Sequence, residues 1–166
     1  MPMTRLEIYC DGGCRGNQAE KNVGGWGAYL VGGEHEKELF GGERNTTNNK
    51  MELTGAIEGL RAIKNKNVPT EVLVDSAYVL NGITSWIHGW MKKGWVNSKK
   101  EPVANKELWQ ELYAEKQKFA DITFTKVKGH STNEGNNMAD FLANHAMDEV
   151  EAGVLSNARQ VCILKD

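Results

Sequence analysis

Four carboxylic acids occur at positions from which a protein could bind divalent metal ions. Asp11 ends an alternating run over residues 6–10 and precedes two glycines, and Asp75 ends a second apolar run. Glu52 follows a group of helix-capping residues, and Asp140 is predicted in the first turn of the last helix. Oxygen ligands without nearby cysteine favour Mg²⁺ or Mn²⁺ over zinc, and paired ions of this kind promote displacement at phosphorus. The acids therefore suggest metal-assisted phosphodiester chemistry.

Each acid also has an ordinary structural interpretation. Asp11 before Gly-Gly is typical of a turn, and Asp75 could cap the helix that follows it. Glu52 could complete a capping box with Asn49, and Asp140 could favourably face a helix N-terminus. Taken together, however, four acids at one sheet edge would repel one another strongly unless cations lay among them.

The hydrophobic pattern predicts a single α/β domain. A period of two residues indicates strands, and a period of 3.6 indicates amphipathic helices. The resulting order predicts a five-stranded mixed sheet, with three antiparallel strands followed by two parallel strands and with helices on both faces. A right-handed crossover would place the strand ending at Asp75 parallel to the strand ending at Asp11. Strands are predicted over residues 6–10, 23–31, 37–42, 71–75 and 122–127, and helices over residues 48–64, 76–90, from Asn105 onward, and from Asn136 or Asn137 to Met147.

Composition limits the remaining possibilities. The chain has 166 residues and a net charge of −2, so any binding of a polyanion must come from a local basic patch. Three sparse cysteines indicate a reducing compartment without disulfides, and no apolar run approaches the roughly 18 residues that span a bilayer. We expect a cytoplasmic protein without membrane contact, consisting of a catalytic domain over residues 1–150 and a tail over residues 151–166 to which the sequence assigns no role.

A basic patch is present between residues 91 and 106. It contains five lysines and one acid, with tryptophans in and beside it. The lysines could form an ordinary solvated surface, but their clustering in an otherwise acidic chain favours binding to phosphates. A tryptophan at helical spacing more commonly packs in the core than stacks on a ligand.

The motifs together resemble type 1 ribonuclease H in its bacterial form. The resemblance lies in residues 10–17, 46–53, 74–79 and 127–130, with Asn136 and Asp140 following, while residues 83–105 resemble that family's basic protrusion. It extends over about residues 4–148. It implies a ribonuclease H-like fold and an endonuclease that hydrolyses the RNA strand of RNA/DNA hybrids, leaving 3′-hydroxyl and 5′-phosphate ends.

The resemblance implies reaction roles for five residues. Asp11, Glu52, Asp75 and Asp140 match acids that hold two Mg²⁺ ions, with Mn²⁺ as a substitute. One ion would activate the attacking water and the other would stabilise the leaving 3′ oxygen. His130 matches the family's loop histidine, which moves protons or helps product release, and the polar loop around it favours mobility.

The resemblance also implies contacts with the RNA/DNA hybrid as partner. Two kinds of position are involved, those that contact the RNA minor groove and those that contact the DNA strand. The first comprises Asn17, Asn48 and Asn49, and the second comprises Thr47 and Asn105 at a phosphate, with Trp86, Trp90 and Trp95. The clustered Lys92, Lys93, Lys99 and Lys100 are expected to bind phosphates without sequence preference. At Cys10, Ala77 and Asn137 the sequence differs from the residues that the family usually has. No obligate protein partner is expected, and we expect a monomer.

Two alternatives stay open at this stage. The first is a DNA nuclease of the same fold, which would leave the Thr-Asn-Asn-Lys-Met-Glu block and the Trp/Lys protrusion unexplained. The second is a non-catalytic module that binds hybrids. Such a module has no need of acids, so the presence of all four carboxylates favours an enzyme.

Overall fold

The computed structural model describes residues 5–16, 22–127, 133–155 and 159–166. They form one six-stranded mixed sheet with the strand order β5-β4-β1-β2-β3-β6. The strands are β1 (Leu6–Arg15), β2 (Val23–Gly32), β3 (His35–Arg44), β4 (Thr70–Val74), β5 (Ile122–Lys126) and β6 (Cys162–Lys165). The helices are α1 (Asn48–Arg61), α2 (Ala77–Asn81), α3 (Ile87–Lys92), α4 (Lys106–Lys116) and α5 (Glu134–Glu151), with a π-helical segment, Gly82–Trp86, between α2 and α3.

The predicted fold class and the order of the first five strands are confirmed, but the predicted count of five strands is wrong. The sixth strand comes from the tail and pairs antiparallel with β3, with Leu39 opposite Ile163 and Phe40 opposite Cys162. A four-residue edge strand with mostly exposed side chains has no alternation between buried and exposed positions, so the usual strand signal is absent. The tail therefore contributes a strand to the sheet.

The parallel pairing predicted for β1 and β4 is confirmed. Cys10 lies opposite Val74 in this ladder. The residue after each member of this pair is an acid, so Asp11 and Asp75 lie side by side. The predicted end of the first strand at Asp11 is wrong, because β1 continues to Arg15 and Asp11 pairs with Gly27 of β2.

Helices cover both faces of the sheet, and β2 shows why. Its side chains alternate between the two faces, as expected for a strand. Trp26 and Ala28 face α1, whereas Gly25 and Gly27 face α5. A Cβ atom at Gly27 would lie 2.6 Å from the Cβ of Leu142, so glycine is needed for α5 to pack directly on the sheet backbone.

Three predicted details of the helices are wrong. The predicted helix over residues 76–90 is divided into α2, the π-helical segment and α3. Helix α5 begins at Glu134, because Asn133 accepts a hydrogen bond from the Asn136 backbone, so Asp140 lies in the second turn rather than the first. Helix α1 is capped by Thr47, which excludes a capping box between Asn49 and Glu52.

The core lies mainly between the sheet and α1, with α4 packed against α1. Trp26 and Trp109 are its largest fully buried side chains. In the described part of the chain, no helix combines the length and apolar character needed to cross a membrane.

Candidate active site and nucleic-acid interface

Gly12 brings the first two acids together. A Cβ atom at this position would lie 2.5 Å from the backbone nitrogen of Glu52, so only glycine lets the first turns of α1 approach β1 this closely. The Gly12 amide also donates a 2.8 Å hydrogen bond to the Asp11 carboxylate. Asp11 and Glu52 are consequently held beside each other by backbone contact between two elements.

The four acids form one electrostatic cluster. Burial raises the pKa of Glu52 to about 9, with further contributions from the charge of Asp11, a hydrogen bond to Asp11 and the charge of Asp75. Burial likewise raises the pKa of Asp11 to about 7, and contact with Asp140 and the charge of Asp75 add to this, while the Gly12 amide opposes it. The charges of Asp75 and Asp140 therefore act on Asp11, and those of Asp11 and Asp75 act on Glu52.

The acids are not arranged as a preformed ligand set. Asp11 and Glu52 are half-buried, whereas Asp75 and Asp140 are exposed. Among the residues that the structure describes, no three His, Cys, Asp or Glu side chains are placed to coordinate one metal ion. Two other predicted site residues, His130 and Asn17, lie outside the described residues.

The donor chemistry of the cluster nevertheless fits hard divalent cations. Cys10, the nearest thiol along the chain, is buried, and its pKa is raised by burial and by the charges of Glu52 and Asp11. It therefore stays a neutral thiol, which is a poor metal ligand. The available donors are carboxylate oxygens, and a divalent cation would compensate the negative charge that burial makes costly at Asp11 and Glu52.

The start of α1 presents polar groups next to the acids. The Thr47 hydroxyl accepts a 3.1 Å hydrogen bond from the Lys50 amide, and Asn48 and Asn49 are exposed in the first turn. Gly13 adjoins this turn, since a Cβ atom there would lie 3.9 Å from Asn48 Oδ1. The predicted contacts Thr47, Asn48 and Asn49 thus lie on one exposed surface beside the acid cluster.

The predicted lysines are carried by α3 and an ordered loop over residues 93–105. Asn97 organises this loop, because its side-chain oxygen accepts hydrogen bonds from the amides of Lys99 at 2.9 Å and Glu101 at 3.0 Å. Val96 and Pro102 form an isolated bridge across its base. The side chains of Lys92, Lys93, Lys99 and Lys100 are all exposed. We refer to α3 and residues 93–105 together as the basic loop.

The predicted tryptophans pack on one another in and beside the basic loop. The ring of Trp90 lies 6.1 Å from that of Trp86, 6.2 Å from that of Trp95 and 5.3 Å from that of Trp109. Trp86 is 44% exposed, whereas Trp90 and Trp95 are half-buried. Of the three, Trp86 therefore has the most surface available to a ligand.

Asn105 precedes α4 as predicted, but its side chain does not cap the helix. Its backbone is left-handed, with φ 61° and ψ 30°, and it makes no capping hydrogen bond. Its amide Nδ2 instead donates to the Tyr78 hydroxyl at 3.1 Å, and the Trp109 indole donates to the same oxygen at 3.2 Å. Tyr78 and Asn97 were not identified from the sequence, because hydrogen bonds between loops and distant helices leave no periodic signal.

Comparison with known proteins identifies the family. A profile of the RNase H family matches residues 3–148. The chain belongs to the RNase H family. The resemblance seen in the motifs is thereby confirmed, and residues 149–166 extend beyond the matched region.

Similarity to bacterial RNase H enzymes covers most of each chain. The protein is 53% identical over 150 residues to the Ribonuclease H of Chromohalobacter salexigens, which covers 90% of this chain and 88% of the relative. It is 50% identical over 148 residues to the Ribonuclease H of Cupriavidus metallidurans, which covers 89% and 99%. The protein is therefore a ribonuclease H of type 1, and the prediction of an enzyme is confirmed.

Solved RNase H structures share the fold. LC9-RNase H1, a type 1 RNase H with the type 2 active-site motif, has a TM-score of 0.77 and 30% identity, covering 89% of this chain and 74% of that one. LC11-RNase H1, solved in complex with an RNA/DNA hybrid, has a TM-score of 0.62 and 25% identity, covering 88% and 99%. The α/β architecture described above is thus that of the RNase H family.

Proposed function

We propose that this protein hydrolyses the RNA strand of RNA/DNA hybrids and uses Asp11, Glu52, Asp75 and Asp140 as its catalytic acids. The observation that carries the proposal is the close approach of α1 to β1 at Gly12, which brings the half-buried carboxyl of Glu52 beside Asp11 and next to the exposed polar turn of α1. The pKa values of both acids are raised there. Buried acids with no compensating charge are costly to a fold, and they accumulate at catalytic sites. Family membership and the hybrid bound to LC11-RNase H1 support the same substrate.

The acids would bind divalent metal ions, of which two Mg²⁺ are proposed and Mn²⁺ is a substitute. When bound, such ions lower the pKa of an attacking water and stabilise the leaving 3′ oxygen, which gives 3′-hydroxyl and 5′-phosphate ends. The exposed carboxylates of Asp75 and Asp140 are accessible to join those of Asp11 and Glu52 as ligands. Ion binding would also displace the protons that Asp11 and Glu52 retain.

Substrate binding would use two surfaces, the start of α1 and the basic loop. The turn of Asn48 and Asn49 offers exposed amide groups, which can donate to 2′-hydroxyls and base edges in the shallow minor groove of a hybrid. The lysines of the basic loop, with Trp86, Trp90 and Trp95, would contact the DNA strand, and Thr47 and Asn105 would bind one of its phosphates. Asn17 and His130 stay predictions, as do the cytoplasmic location and the monomeric state.

A cleavage assay tests this proposal directly. The protein is incubated with matched RNA/DNA hybrid, duplex DNA and duplex RNA, with Mg²⁺, with Mn²⁺ and with EDTA. We expect cleavage of the RNA strand in the hybrid alone, loss of cleavage in EDTA, and 3′-hydroxyl ends on the products. A folded preparation that leaves the hybrid intact with both metals would refute the proposal, and cleavage of duplex DNA would favour a DNA nuclease.

A variant separates catalysis from binding. Asp11→Asn should abolish cleavage while it retains hybrid affinity, because the change removes one charged ligand and leaves both binding surfaces intact. Asp121→Asn, at an exposed position before β5, is the matched control and should cleave normally. An active Asp11→Asn protein would exclude Asp11 as a catalytic acid.

A further inference from the structure

We infer that Tyr78 is a positioning residue that orients the Asn105 side chain toward the substrate. The inference rests on the proposed function, in which Asn105 contacts a phosphate of the DNA strand. Tyr78 lies in α2, three residues after Asp75, whereas Asn105 immediately precedes α4. The Tyr78 hydroxyl joins these separate elements, since its oxygen accepts from Asn105 Nδ2 at 3.1 Å and from Trp109 Nε1 at 3.2 Å.

Trp109 fixes the position of the phenol oxygen. Its side chain is fully buried, and its ring lies against Gly82 so closely that a Cβ atom there would overlap the indole. The Trp109 ring also packs 5.1 Å from the Tyr78 ring and 5.3 Å from the Trp90 ring. Because an indole N–H can only donate, the Tyr78 oxygen must act as its acceptor. The hydroxyl is thus held in place by a core residue.

The Asn105 side chain depends on that hydroxyl for its orientation. Asn105 occupies the capping position of α4, where its carbonyl accepts from the Trp109 amide at 3.0 Å but its side chain makes no hydrogen bond to the helix. Its left-handed backbone, which asparagine tolerates better than most residues, directs the amide to Tyr78 instead. In the described part of the chain, the bond to Tyr78 is the hydrogen bond that holds this amide. One amide N–H is engaged there, and the second N–H is left to donate to a phosphate oxygen.

Removal of the hydroxyl alone should therefore impair binding rather than chemistry. In Tyr78→Phe the ring keeps its packing against Trp109, but the Asn105 amide is free to rotate. A freely rotating amide must be ordered when the hybrid binds, which weakens the contact. We expect KM for the hybrid to rise about three- to tenfold, the range expected for the loss of one hydrogen-bond contribution, with kcat unchanged within about twofold.

A double-mutant cycle tests whether Tyr78 acts through Asn105. Steady-state cleavage of a uniform hybrid is measured for wild type, Tyr78→Phe, Asn105→Gly and the double variant. Glycine is chosen at residue 105 because it adopts the left-handed backbone without strain. We expect each single variant to raise KM and the double variant to raise it no further than Asn105→Gly. KM factors that multiply in the double variant would overturn the inference while leaving the phosphate contact in place.

Two further results separate this role from a general loss of stability and from failure of the proposed function. Leu112→Ala, a buried change in α4, lowers Tm without touching the Tyr78 hydroxyl and should leave KM at the wild-type value. A rise in KM in Leu112→Ala equal to that in Tyr78→Phe would overturn the positioning role. Wild-type KM in Asn105→Gly would overturn both the phosphate contact and the inference, whereas absence of hybrid cleavage by wild type would refute the proposed function itself.

Discussion

Replacement of Glu52 by glutamine should stabilise the metal-free protein, and the gain should grow with pH. The Glu52 carboxyl has an ordinary pKa of 4.5 and a folded pKa of about 9, so it keeps its proton in the folded state while the unfolded chain loses it. Between pH 4.5 and about pH 9, a rise in pH therefore favours the unfolded chain. Each pH unit corresponds to about 1.4 kcal/mol, so the cost at pH 7 is about 3 kcal/mol. The glutamine side chain of the variant carries no titrating proton and avoids this cost.

The measurement is urea unfolding, followed by circular dichroism in EDTA at pH 5, 6, 7 and 8. Any effect of glutamine on local packing shifts the free energy of unfolding by the same amount at every pH, so the slope isolates the titration. We expect the difference between variant and wild type to increase by about 2.5 kcal/mol from pH 5 to pH 7. A difference that stays constant with pH would show that Glu52 titrates normally and would refute the reasoning.

A control and a cation experiment complete this test. Glu34→Gln removes the same charge from the exposed turn between β2 and β3. The difference in free energy of unfolding between this variant and wild type should stay constant from pH 5 to pH 8. Saturating Mg²⁺ should stabilise wild type more than Glu52→Gln, because the ion compensates the charge that burial penalises. Equal stabilisation of the two proteins would argue against Glu52 as a ligand.

Three further predictions follow from contacts described above or from the tail. Gly12→Ala should lower the free energy of unfolding by about 1–3 kcal/mol and impair cleavage, because its methyl group would overlap the α1 backbone. Gly89→Ala is the control: this position has open space around it, so both stability and activity should be unchanged. Arg159→Ala should lower the free energy of unfolding by about 1–2 kcal/mol, since it removes a 2.8 Å ion pair to the buried Glu58 that Arg61 only partly replaces; an unchanged urea midpoint would contradict this. Replacing the four lysines of the basic loop by alanine should weaken hybrid binding and reduce its dependence on salt concentration in anisotropy titrations, while kcat stays unchanged. Lys64→Ala, at another exposed lysine, is the control and should leave binding unchanged. An unchanged salt slope would exclude the loop as the phosphate-binding surface. The four lysines are Lys92, Lys93, Lys99 and Lys100.

The sequence predicted those parts of the fold that depend on simple periodic rules. Strand alternation and crossover handedness fix the relation of β1 and β4, and they correctly predict that Asp11 and Asp75 lie side by side. The approach of Glu52 to Asp11 depends on a close contact at Gly12, which the Gly-Gly pair only suggested. Asp140 was placed one turn too early, because the true cap, Asn133, follows a polar run with several equally good capping residues.

Features that depend on contacts between distant segments escaped prediction. The hydrogen bonds of Tyr78 to Asn105 and Trp109 span 27 and 31 residues of sequence. The pairing of β6 with β3 joins segments more than 100 residues apart, and the ion pair of Arg159 with Glu58 spans 101 residues. Such contacts are specified by the assembled fold rather than by any local pattern, so a single sequence carries little sign of them.

The tryptophan arrangement has a practical consequence for work in solution. Four of the five indoles, Trp86, Trp90, Trp95 and Trp109, are neighbours at one end of the molecule, and Trp26 lies apart in the core. Intrinsic fluorescence is consequently weighted toward the surface proposed to hold the DNA strand, where Trp86 is open to solvent. The protein thus carries an optical probe of ligand occupancy, and equilibrium titrations can be followed without an attached dye.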